Sequence, residues 1–172
     1  MIATPVELLV HQAVMELQGG RFAPAAGILE RATCLEPGSA AAWLLRGVAV
    51  EQLGDRRSAL EFYGRAVRLA PEHVPALIAW GNALAYAGDT GRARHSFQRV
   101  TALDPGNAMA WLGLGMLEHQ CGAAAAARAA FARALKEPGN ALEPAARVAA
   151  RSGLLDATLS LCDWSEYESG GA

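Results

Sequence analysis

The stretch AAAWLLRGVAVEQLGDRRSALEFYGRAVRLAPEH, from Ala40 to His73, decides the fold. Trp43 and Gly47 lie on one amphipathic run, Gly54 and Asp55 break it, Ala59, Tyr63 and Ala66 lie on a second, and Pro71 closes the unit. Shifting the chain by 34 residues restores these landmarks: Gly20, Gly54, Gly88 and Gly122 form one series, and Pro37, Pro71 and Pro105 another. Such a period, with two helical patterns in each unit, predicts an all-α solenoid.

Small residues repeat in step. Ala13, Gly47, Gly81 and Gly115 recur in the first run of each unit, and Ala25, Ala59, Ala93 and Ala127 in the second. Larger side chains there would force the helices beyond the usual interaxial distance of roughly 8 to 10 Å. The unit resembles the tetratricopeptide repeat, whose Trp, Gly, Ala, aromatic and Pro pattern is carried by Trp43, Gly47, Ala59, Tyr63 and Pro71, then by Gly81, Phe97 and Pro105, then by Trp111, Gly115 and Phe131. The resemblance covers about residues 6 to 140. It implies a right-handed superhelical solenoid of antiparallel helix pairs, with four repeats within residues 1–140 at about 6–39, 40–73, 74–107 and 108–140. A degenerate, capping helix pair is expected over 141–164 and a flexible tail over 165–172.

The totals set bounds on function. A chain of 172 residues is one domain's worth. Its hydrophobic share of 52% is inflated by alanine, and no uncharged apolar run approaches the roughly 20 residues needed to span a bilayer. Glu7 stands where an export signal would be basic or apolar, so a cytoplasmic location with no membrane insertion is expected. Cys34, Cys121 and Cys162 are odd in number and widely spaced, which argues against a disulfide framework. A formal charge of −2 supplies no general pull towards nucleic acid.

Taken in order, Thr4-Pro5 opens a helix running to about Gln18, and a second runs from about Phe22 to Thr33. Ser39 and Asp55 are placed as caps, and Leu77 takes the place of a missing Trp, with Trp80 one turn further on. Asp89 and Phe97 are the next cap and anchor, Asn107 opens the fourth unit, and Pro138-Gly139 closes it. Ala123 to Ala127 reads as close-packed helix. Beyond Asn140, Glu143 to Arg151 reads as a short helix, Ser152-Gly153 as a turn, and Leu154 to Cys162 as its partner.

If the units stack as the resemblance implies, first helices line a concave groove. Period arithmetic assigns it four rows: Glu7, Ala41, Pro75 and Met109; Val10, Leu44, Ile78 and Leu112; Val14, Val48, Asn82 and Met116; Leu17, Glu51, Ala85 and His119. The two middle rows are almost wholly apolar, and Gln18, Gln52, Tyr86 and Gln120 rim them. This suits an amphipathic helix or an apolar extended segment, with Met109 and Met116 adapting to its shape. The alternatives are that some positions are ordinary core or a self-association surface. Family members that clamp a terminal carboxylate carry Lys, Arg and Asn at matching places. Only Asn82 is present here, and it does not form the asparagine ladder of O-linked N-acetylglucosamine transferases.

Arg31, Arg65, Arg99 and Arg133 recur with the period and are expected to pair with carboxylates such as Glu30 or Glu61, so nucleic acid is not an expected partner. His11, His73 and His95 are isolated and read as helix-surface or helix-end residues, and His119 and Cys121 lack the further ligands a metal site needs. No phosphate loop, nucleophile elbow or paired-carboxylate motif appears, and no catalytic, cofactor-binding or metal-binding residue is assigned. The string Leu161-Cys162-Asp163-Trp164 looks like the segment joining such repeats to the catalytic region in bacterial relatives of the O-linked N-acetylglucosamine transferases. The sequence therefore predicts a non-catalytic protein-interaction module. A recruiting domain of a larger transferase and a self-associating scaffold are the alternatives.

Overall fold

The computed structural model describes residues 4–136 and 142–161. They are helical without strands and fall into two compact units, one ending at Asp89 and one beginning at Thr90. The first unit holds α1 (Pro5–Gln18), α2 (Phe22–Leu35), α3 (Ala40–Gln52), α4 (Arg56–Leu69) and α5 (Val74–Tyr86). The second holds α6 (Thr90–Leu103), α7 (Ala108–Gln120), α8 (Ala124–Lys136) and α9 (Pro144–Leu161).

Local chemistry sets the helix ends. Thr4 and Glu7 form a reciprocal capping box, Glu7 N donating to Thr4 Oγ1 at 3.2 Å and Thr4 N to Glu7 Oε2 at 2.8 Å. Ser39, His73 and Asn107, spaced by the period, cap α3, α5 and α7, accepting from Ala42, Ala76 and Ala110 N–H groups. Asp55 caps α4 by accepting from Ser58 N at 3.1 Å. The recurring glycines all take positive φ: 71° at Gly20, 90° at Gly54, 83° at Gly88 and 75° at Gly122. At each, the next residue's N–H reaches back five residues, as from Asp55 N to Val50 O at 3.0 Å and Ala123 N to Glu118 O at 2.8 Å, closing a Schellman turn.

Close approach accounts for the small residues inside the helices. In the first unit a Cβ on Gly47 would run into the ring of Tyr63, which is fully buried and donates through its hydroxyl to Glu51 Oε2 at 2.6 Å. Leu77 is fully buried where the Trp is missing, and Trp80, one turn further on, lies against Gly64. In the second unit Gly113 gives way to Phe97, and Gly115 to Phe131.

The last helix corrects the expected capping pair. Ser152 and Gly153 do not turn; α9 is one continuous helix of 18 residues. Gly153 is there for packing, because a Cβ on it would lie 2.5 Å from Cζ of Phe131, whose other edge meets Gly115. Phe131 is thus held between two glycines. Around it Ala108, Leu112, Ala127, Ala134, Leu142, Ala150 and Ala157 form one buried cluster. Pro138-Gly139, Asp163-Trp164 and the expected tail lie outside the described residues.

Candidate functional site

The first unit brings α1 alongside the start of α3. There Val6, Val10, Val14 and Ala41 supply the apolar lining of a depression of about 470 Å³, and Thr4, Glu7, His11, Glu36 and Ser39 its polar lining. Four of these residues, Glu7, Val10, Val14 and Ala41, are ones the period assigns to the groove. The capping box positions the α1 side, and the Ser39 cap together with the Trp43 Nε1 bond to Pro37 O at 2.9 Å fixes the α2–α3 connection. No Lys or Arg lines the depression, while Glu7 and Glu36 bring two carboxylates to it. Its chemistry is that of an apolar seat with an acidic edge.

Elsewhere in the first unit Leu44, Val48 and Ile78 are half-buried, Asn82 is exposed, and Glu51 is half-buried, held by Tyr63. Burial, with Glu51 as its hydrogen-bond acceptor, pushes the Tyr63 hydroxyl pKa far up, so it stays a donor throughout the neutral range. Tyr86 is exposed, with the Arg56 guanidinium 3.8 Å above its ring and Arg56 Nη1 donating to its hydroxyl.

In the second unit Met109, Met116 and His119 are exposed. Leu112 departs from its assigned role. Only 6% exposed, it belongs to the cluster sealed by α9, so it is core and not groove wall. His119 and Cys121 do not come together as ligands, and among the described residues no group of three His, Cys, Asp or Glu could hold a metal ion. Cys121 Sγ instead accepts from Arg94, 3.6 Å away, and Arg94 also forks onto Glu118 at 2.6 and 3.2 Å. The Glu118 pairing raises the Arg94 pKa.

The recurring arginines do something the sequence reading missed. Arg65 lies 4.2 Å from the Trp43 ring centroid and Arg133 4.7 Å from that of Trp111. Glu30 is taken by Arg46 at 2.7 Å, and Glu61 stands 4.0 Å from Arg57, so neither carboxylate serves the recurring series. The signal was present: the offset from Trp43 to Arg65 is the offset from Trp111 to Arg133. Arg31 and Arg99 stand at the same offset from Leu9 and Leu77, where the Trp is replaced. Cation–π stacking, not carboxylate pairing, explains the arginines that follow a Trp.

Repeated helix pairs with glycine-punctuated turns and glycine–aromatic packing define a repeat-built helical scaffold. The family model for the tetratricopeptide repeat matches residues 12–74 and 78–144, and the chain belongs to that family. Among solved structures, a crystal structure of MamA is 22% identical over 77% of this chain and 78% of that chain, with a TM-score of 0.73. TTC0263, a thermophilic TPR protein of Thermus thermophilus, is 23% identical over 88% of this chain and 82% of its own, with a TM-score of 0.72. The first TPR of Spaghetti (RPAP3), bound to the HSP90 peptide SRMEEVD, is 19% identical over 68% of this chain and 93% of that one, at 0.66. These likenesses establish the all-α fold of tetratricopeptide-repeat solenoids. No curated protein matches the chain, and no comparison shows the transferase resemblance. Among the described residues no helix is long and apolar enough to cross a membrane.

Proposed function

We propose that this chain is a non-catalytic, cytoplasmic interaction module that seats an apolar or amphipathic peptide segment in the depression between α1 and α3. The observation that carries the reading is the lining itself: half-buried Val10 and Val14 and exposed Ala41, backed by the buried Val6 and edged by Glu7, Glu36 and His11. A preformed apolar seat captures a side chain without first meeting an ordering cost. The acidic edge selects against a carboxylate-ended, acidic peptide of the kind held by the RPAP3 repeat, and favours aliphatic residues flanked by Lys or Arg. Leu44 and Val48, half-buried on the neighbouring turns of α3, extend the apolar surface for the rest of such a segment.

Selection from a displayed library of random dodecapeptides tests this. Enriched sequences should combine Leu, Ile or Phe with Lys or Arg, and their binding should fall at least roughly tenfold in Val14→Glu, at a half-exposed position, with the fold checked by circular dichroism. Enrichment of acidic, carboxylate-terminated peptides, or affinity indifferent to Val14→Glu in a folded variant, would overturn the assignment.

A further inference from the structure

The solvent-facing side of an amphipathic helix is ordinarily polar. The outer face of α9 instead carries an apolar stripe between charged flanks. Its inner stripe, Ala146, Ala150, Gly153 and Ala157, packs against the Phe131 cluster. Half a turn away, at the same 4-3-4 spacing, run Val148, Ser152, Leu155 and Leu159, with Val148 67%, Leu155 59% and Leu159 47% exposed. Two stripes of identical spacing on opposite sides of one helix mean that α9 is built to be covered twice, and among the described residues of its unit only the inner stripe is covered.

We propose that the second cover is the α9 of another copy of this chain, in a parallel, in-register pair of helices. Spacing and charge both select that occupant. The 4-3-4 spacing is that of a heptad seam, with Val148 and Leu155 at d positions and Ser152 and Leu159 at a positions. Arg151 and Asp156, both exposed, flank the seam on opposite sides and are five residues apart. In a parallel pair the residue at g faces the e residue five further on in its neighbour, so Arg151 meets the Asp156 of the second copy, and the exchange is repeated by symmetry. An antiparallel pair brings like flank to like flank. Arg151 would then meet the partner's Leu154 and Thr158 side, and Asp156 its Ala149 side, leaving all four charges without complements. The small Ser152 between the larger seam residues lets the two helices approach closely. A self-complementary seam of this kind fits a second identical helix better than an unrelated one.

Sedimentation of the full chain over the micromolar range tests the proposal, with helical content checked by circular dichroism. The wild type should show a monomer–dimer equilibrium that Leu155→Glu shifts at least roughly tenfold towards monomer. Arg151→Asp and Asp156→Arg should each weaken association by about three- to tenfold, and the double exchange should restore it. Each changes an exposed side chain, so the fold is not at stake. With Cys34, Cys121 and Cys162 replaced by Ser, Leu155→Cys should give a disulfide-linked dimer on mild oxidation, because a parallel seam sets that position against its own copy. A monomer throughout, a dimer indifferent to residue 155, or a double exchange that fails to restore association would overturn the parallel α9 pair. Val14→Glu should leave the equilibrium unchanged, so this test and that of the peptide seat fail separately.

Discussion

Val10 and Leu112 occupy the same place in the repeat, three periods apart, and the structure gives them opposite roles. Val10 lines an open depression between α1 and α3, whereas Leu112 is shut inside the second unit beneath α9. The difference lies in the helix that comes after each pair. The α1–α2 pair leads into α3, which opens with Ala40 and Ala41. The α7–α8 pair leads into Leu142, three periods on from Ala40, and then into a helix whose inner side is alanine and glycine. A leucine for an alanine supplies about 2 kcal/mol of extra apolar burial, and small residues behind it let α9 settle onto α7 and α8. A repeat position therefore has no fixed function; the size of the residues one repeat later decides whether it is wall or core.

Substituting both sides of this contrast separates them. Leu112→Glu should destabilise by at least about 4 kcal/mol, because it places an unpaired carboxylate in the Phe131 cluster. Val14→Glu, at a half-exposed position, should cost less than about 1 kcal/mol while removing peptide capture. Chemical denaturation of the two variants measures both; equal losses would erase the distinction between core and wall.

The crowded helical position at Gly153 gives the next largest effect. Were Gly153 uncrowded, Gly153→Ala would stabilise α9 by about 1 kcal/mol. Here the added methyl meets the Phe131 ring, so the exchange should cost about 1 to 3 kcal/mol. A variant more stable than the wild type in denaturation would show that α9 does not press on Phe131.

The smallest effect distinguishes the units by acid. Its hydrogen bonds with Ser58 hold the Asp55 carboxyl below its usual pKa, while Ala123 stands at the equivalent place in the second unit. A folded pKa lower than the unfolded one contributes stability that is whole above the unfolded value and is lost as pH falls through the folded one. Thermal unfolding should therefore decline more steeply below about pH 4 in the wild type than in Asp55→Asn, which keeps the cap without the titration. Parallel declines would remove Asp55 from the account.

Much of the fold was legible because each signal was local and repeated. Thr4-Pro5, Ser39, Asp55 and Asn107 cap the helices expected of them, and every recurring turn glycine takes positive φ. His73 looks isolated among the histidines, yet its place midway between Ser39 and Asn107 is the sign that it caps α5. Less of the site was legible, because it depends on which helix lies against which. Leu112 has the periodicity of a groove residue and the environment of a core residue, and only the path of α9 decides between them. Ser152-Gly153 has the composition of a turn, yet the glycine answers a ring more than twenty residues earlier in the chain. Periodicity reports the face of a helix; it does not report what covers that face.

The most direct measurement follows the methyl resonances of Val10, Val14 and Leu112 while a selected peptide of aliphatic and basic residues is added. The account predicts that the two valines shift progressively to saturation and that Leu112 stays in place. A folded chain that binds the peptide with Leu112 shifting and the valines unmoved would contradict it.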